Sequence, residues 1–301
     1  MKSRLVWLVL CLIWGSTWLF IKLGLENLPP LTFAGIRFVI AAIILLVLMA
    51  LRRLPFPRQP RDLILLAVTG VLSFSLNYGL VFWGEQYISS GLAALLQSML
   101  PAFGLIIAHY YLPGEPMTLP RILGVIMGVI GVGVIFSNQL RVSGTKALLG
   151  SAALVLSALC AANANVLVKK YFKHIDPVVL AAVQMIFGLV PLLLIGLPLE
   201  GSPLRFHWTP MAVISLFYLA IVGTVVAFSL YYWLIRNMKV TDTMMIALVT
   251  PVVAVILGMI VLKETLEWRT LAGGLMIISG LALIVLRRPR KAGKPELVLP
   301  S

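Results

Sequence analysis

Residues 91–112 read GLAALLQSMLPAFGLIIAHYYL, with His109 the one position bearing a titratable imidazole and no Asp, Glu, Lys or Arg among them. A helix rises about 1.5 Å per residue, so a run of this length crosses the roughly 30 Å hydrocarbon core of a bilayer. A transmembrane β-strand would alternate apolar and polar residues instead. The continuous apolar character selects helix. In lipid only a helix or a closed barrel satisfies every backbone polar group.

Nine further runs read the same way, and together they predict ten spans: about 5–24, 31–51, 63–83, 91–112, 120–137, 147–168, 177–198, 210–233, 242–262 and 270–286. The connections are short and carry turn signals such as Pro29-Pro30, Pro55-Phe56-Pro57 and Pro113-Gly114. The composition agrees with this reading. Hydrophobic residues make up 61% of the 301 positions, charged residues 11%, and the mean hydropathy is +1.05. Soluble domains hold roughly 45–50% apolar and about 25% charged residues. The predicted fold class is therefore an all-α membrane protein of ten transmembrane helices. The opening Met1-Lys2-Ser3-Arg4 resembles the start of a signal peptide, but Trp14 and Trp18 continue the apolar run, so it reads as a retained first helix.

The net charge of +14 does not point to nucleic acid, because the basic residues lie in short clusters between spans. With a cytoplasmic N-terminus, 17 Lys and Arg fall inside and 6 outside, and Arg37 lies within a span. That excess places both termini in the cytoplasm of a multi-pass inner-membrane protein. Cys11 and Cys160 both fall inside spans, and no metal-ligand spacing accompanies them. No Gly-rich phosphate loop, zinc-protease motif or nucleophile elbow occurs, so neither ATP hydrolysis, an enzyme activity nor a cofactor is expected.

Pro101, in the middle of the quoted run, has a counterpart in Pro251 of DTMMIALVTPVVAVILGMIVL, residues 242–262. A shift of about 147–150 residues also lays Lys22 on Lys169, Pro30 on Pro177, Trp83 on Trp233, Glu115 on Glu264, Gly124 on Gly273 and Gly131 on Gly280. Five spans per repeat is an odd number, so the second copy enters the membrane inverted, a common transporter construction. The predicted organisation is a first repeat over 1–140, an inverted second repeat over 141–287 and a basic cytoplasmic tail over 288–301.

Each proline removes a backbone donor and crowds the carbonyl four residues earlier, Gln97 for Pro101 and Ala247 for Pro251. The sequence leaves two readings: broken helices lining a cavity, or kinks that serve packing. The mid-span polar residues are equally double-edged. Ser16, Thr17, Asn77, Gln97, Ser98, Asn163, Asn165 and Thr250 can bond neighbouring helices or line a cavity. Trp14, Trp18, Tyr78 and Phe228 stand deep enough to gate or stack on a substrate, whereas Trp83, Tyr231, Tyr232 and Trp233 read as interfacial belts. Arg37, about two turns into span 2, is a possible charge site, placed to reach headgroups or to pair with Glu26 or Glu85. No acid falls at mid-membrane, which favours a neutral or zwitterionic substrate.

These landmarks resemble the EamA-type branch of the drug/metabolite transporter superfamily. The resemblance rests on Trp14-Gly15-Ser16, on Pro30-Leu31-Thr32-Phe33-Ala34-Gly35-Ile36-Arg37-Phe38, on Pro101, and on Glu115, Gly124, Gly131 with Glu264, Gly273, Gly280. It implies alternating-access movement of small metabolites, often export of amino acids, through a central cavity between the repeats. The expected partners are a small-molecule substrate and the lipid bilayer, without nucleic acid, and the oligomeric state stays open. Two other classes remain compatible with the sequence: a flippase for lipid or lipid-linked metabolites, and a membrane scaffold without transport.

Overall fold

The computed structural model describes residues 2–112, 116–142, 144–237 and 246–286. Its helices are α1 (Lys2–Leu25), α2 (Pro30–Leu51), α3 (Pro60–Glu85), α4 (Ser90–Tyr111), α5 (Leu119–Val142), α6 (Gly144–Tyr171), α7 (Pro177–Glu200), α8 (from Pro210 to Asn237), α9 (Ile246–Val261) and α10 (Trp268–Leu286). Every predicted span lands on a helix, and the predicted start of the ninth, 242–245, lies outside the described residues, as do Glu115 and the tail. Among the described residues nine helices are long and apolar enough to cross a bilayer, and α9 is a shorter apolar helix. The chain is an all-α, multi-spanning membrane protein.

Local chemistry starts these helices. Proline occupies the first turn of α2, α3, α7 and α8, where its missing N–H would have no intrahelical partner. Ser89, Asp176 and Thr209 accept backbone N–H bonds from Leu92, Val178 and Ala212 at the starts of α4, α7 and α8. Two acids cap helices at a distance. Glu200, the last residue of α7, accepts from Leu31 N at 2.9 Å and Thr32 N at 2.7 Å at the start of α2. Glu264, just past α9, does the same for α4.

The outer surface carries bare aliphatic side chains such as Ile43, Val47, Leu194, Leu199 and Ile260. Water would penalise that face, and hydrocarbon accepts it. Inside, α5 packs along α10, α2 along α7 and α4 along α9. Helix α1 packs on α8 and α9, and α6 on α3 and α4. Likewise α2 meets α8, and α7 meets α3. The packing of α1 on α8 and α9, and of α2 on α8, thus recurs five helices further on, while the first three pairs each join a helix to its own counterpart. Glycine makes the tightest of them possible: a Cβ on Gly124 would strike the Gly280 carbonyl, and one on Gly131 the Gly273 carbonyl.

Two features of the spans were not legible beforehand. Helix α3 widens into a π-helical stretch at Val71–Leu76, and α8 at Tyr218–Val226. Such stretches loosen the regular ladder and recur at functional sites. The two prolines also differ. Helix α4 is interrupted between Ser90–Gln97 and Leu100–Tyr111, just before Pro101, and the Ser98 hydroxyl donates to Leu95 O at 2.6 Å. Helix α9 runs unbroken through Pro251, which corrects the expectation of a break there. Pro251 removes the ladder donor to the Ala247 carbonyl, and the neighbouring Thr250 hydroxyl donates to Ile246 O at 2.6 Å.

Candidate functional site

Three groups of side chains meet between the helices at mid-span. In the first, α1 lies against α8 and α9. Gly15 lets α1 close on Val253 and on the Thr250 carbonyl. Ser16 Oγ donates to Ile13 O at 2.9 Å, which uses its single proton. The Tyr218 hydroxyl, 2.7 Å away, must then donate to Ser16. Thr17 donates to Trp14 O at 2.7 Å, and its methyl faces Gly223. The ring of Trp14 packs on Phe228 at 6.0 Å and on Tyr231 at 5.3 Å, and Phe20 stacks on Tyr218 at 3.9 Å. Tyr231 therefore turns inward rather than joining an interfacial belt. Trp18 is half-buried against the main core.

The second group links α3, α4 and α6. Asn77 Nδ2 donates to Ser73 O at 3.1 Å, and Gln97 Nε2 donates to Asn77 Oδ1 at 3.1 Å. The Ser157 hydroxyl has one proton and two acceptors in reach, Gln97 Oε1 at 2.6 Å and Leu154 O at 2.7 Å. That duplication matters chemically. Ser157 can retire onto Leu154 O, leaving Gln97 Oε1 open to another donor without stranding a buried hydroxyl. Ser157 was missed in the sequence because a lone serine in an alanine-rich helix carries no signal.

The third group surrounds Arg37, which is 2% exposed. Its Nε and Nη2 donate to Thr224 Oγ1 at 3.3 and 3.0 Å. Its Cζ stands 5.0 Å from the Tyr78 ring centre, 5.1 Å from Phe38 and 5.9 Å from Phe82. Arg37 thus pairs with neither Glu26 nor Glu85 and does not reach headgroups, which corrects that expectation. Aromatic faces present negative potential to a cation, and a dry site strengthens the attraction.

The remaining predicted residues stand apart. Asn163 is half-buried and donates back to Leu159 O at 2.9 Å, and Asn165 is exposed. Ser98 and Thr250 turn onto their own helices, as described above. The structure brings Ser16, Thr17, Trp14 and Phe228 together, and separately Asn77 and Gln97, while Tyr78 stands against Arg37.

The sequence profile of the EamA-like transporter family matches the chain twice, over residues 1–137 and 148–286, and the chain belongs to that family. A Bacillus subtilis (strain 168) protein named "Uncharacterized transporter YoaV" is 30% identical over 90% of this chain and 92% of its own length. "Uncharacterized inner membrane transporter YedA" of Escherichia coli (strain K12) is 29% identical over 95% and 91%. A second protein of that strain, "Probable amino-acid metabolite efflux pump", is 28% identical over 97% and 98%. One chain of known crystal structure shares the fold, with a TM-score of 0.65 over 95% of this chain and 96% of that one at 18% identity. The protein is a transporter.

Proposed function

We propose that the protein exports a small neutral or zwitterionic metabolite, an amino acid or close relative, across the inner membrane by alternating access. Residues 1–140 and 141–287 act as two inverted repeats, with both termini in the cytoplasm. The observation that supports this reading is that the packing of α1 on α8 and α9, and of α2 on α8, recurs five helices later as α6 on α3 and α4, and α7 on α3. Inverted repeats support two states related by the pseudo-two-fold axis around one midplane site. The substrate class draws on the efflux name of one relative, and the compartment on the inner-membrane name of another.

The site would form where α1, α3, α4 and α6 approach one another. Gln97 would offer Oε1 to a substrate donor while Ser157 moves to Leu154 O. Ser16 and Tyr218 would serve as the polar pair of the opposite half, and Trp14, Tyr78 and Phe228 would supply apolar surface. The α4 interruption before Pro101 would give that helix a pivot. No charged group joins Gln97 or Ser16 in these two groups, which fits a substrate without net charge.

Uptake of radiolabelled amino acids and small metabolites into proteoliposomes of the purified protein tests the proposal. Saturable uptake that falls at least tenfold in Gln97→Ala is the expected result. A folded, inserted protein without uptake across the panel would overturn it in favour of a flippase or a scaffold.

A further inference from the structure

Away from the mid-span groups, α1, α3, α4 and α9 converge at one end of the molecule around three charged side chains. Half-buried Lys22 of α1 donates through Nζ to the carbonyls of Glu85 at 2.6 Å and Ile88 at 2.7 Å. The Glu264 carboxylate accepts from Ser90 N at 2.7 Å, from Ser90 Oγ at 2.9 Å and from Gly91 N at 3.3 Å. Both groups are therefore satisfied in their charged forms. Glu85, the last residue of α3, is not. It is 0% exposed, and neither Oε1 nor Oε2 has a hydrogen-bond partner.

We propose that Glu85 is a proton-binding site whose occupancy the closed form of this end requires. The proposal rests on the transporter reading, since only a carrier needs this end to open and close. An isolated ionised carboxylate is far too costly to bury without donors, and a neutral acid is not. The surrounding charges do not rescue the anion. From α1 come Lys22, already engaged by two carbonyls, and Glu26; from the end of α9 comes Glu264, a like charge. The stretch of α6 packed on the neighbouring Gly84, at Gly150, Ala153 and Leu154, brings no charged group, and α4 brings the Ser90 hydroxyl.

Opening requires α1 and α9 to draw away from α3 and α4, which admits water to Glu85. The carboxylic O–H bond then breaks, the proton passes to water as hydronium, and the carboxylate remains hydrated. Closing runs the step in reverse and takes one proton from the same side. Since the closed form binds the extra proton, closure is favoured at low pH and lost as pH rises. One proton allows the closed-to-open ratio to change by up to tenfold per pH unit.

Two readouts on the full-length protein test this independently of any substrate. Infrared difference spectra of wild type against Glu85→Gln in nanodiscs should show a protonated carboxyl band near neutral pH that shifts in D2O. In a Cys11→Ala, Cys160→Ala background, the rate at which Ile88→Cys reacts with a water-soluble maleimide, divided at each pH by the rate of a free model thiol so that thiolate ionisation cancels, should rise between about pH 5 and pH 9, by up to tenfold per unit before a plateau. Adding Glu85→Gln should hold that normalised rate at its low-pH value throughout, and Glu85→Asp should restore the response. Absence of the band, or a pH profile unchanged in Glu85→Gln, would overturn the proposal. If Glu85→Gln fails to fold, the wild-type pH profile and Glu85→Asp decide by the same criteria. No uptake across the metabolite panel with band and profile intact would instead overturn the assignment of small-metabolite substrates and leave the proton site of the transporter standing.

Discussion

Arg37 and Gln184 stand at matching points of the two halves and make matching links. Arg37 of α2 reaches Thr224 of α8, and Gln184 of α7 donates to Thr69 Oγ1 of α3 at 2.7 Å. The helix pair is equivalent, yet one link is a cation boxed by aromatic rings and the other is neutral. The same contrast extends further. Among the described residues the buried charged side chains, Arg37 and Glu85, belong to the first half. The buried polar side chains of the second half, Ser151, Ser157, Gln184, Ser215, Thr224 and Thr270, are all neutral. Several helix pairings correspond between the two family matches while the buried charge does not, so the two halves of the chain are chemically unequal. A carrier whose two states were energetically identical would have no preferred resting side, and unequal charge is a direct way to break that symmetry.

The comparison can be broken most forcefully by moving the charge. Gln184→Arg places a cation beside Thr69 without the three rings that surround Arg37. Unfolding titrations in mixed micelles should show a loss of about 3 kcal/mol or more. Removing the original, Arg37→Ala, should cost about 2–3 kcal/mol through the lost hydrogen bonds and ring contacts. Arg37→Gln, which copies the other half, should recover part of that loss. A Gln184→Arg protein as stable as wild type would show that the aromatic box is incidental.

The lysines sharpen the contrast at smaller scale. Lys22→Met leaves the Glu85 and Ile88 carbonyls without their donor and should cost about 2 kcal/mol in the same titration. Lys169, its counterpart, is exposed, so the same change there should cost less. Gln97→Ala should cost about 1–2 kcal/mol, because Asn77 loses a donor while Ser157 keeps Leu154 O. Smallest is Tyr218→Phe, at about 0.5–1 kcal/mol, since Ser16 retains its bond to Ile13 O. A double-mutant cycle with Ser16→Ala would show whether those two hydroxyls couple at all.

The sequence by itself determined the all-α, multi-spanning class, the placing of the apolar helices and the family. These are local properties: apolar length, proline and glycine spacing, and their order along one chain. It also marked Gln97, Asn77, Ser16 and Arg37 as polar side chains in an apolar setting. What each of them touches was decided only by the tertiary structure. Glu85 shows why most plainly. Read along the chain, it is an acid at the end of a helix, where water is the natural expectation. In the folded molecule α1, α2, α4 and α6 pack on that end of α3 and leave its carboxyl buried and without a donor. Burial at a helix terminus depends on what packs over it, and those residues lie far away in sequence. The same holds for Pro101 and Pro251, alike in sequence context, of which one marks a break and the other does not.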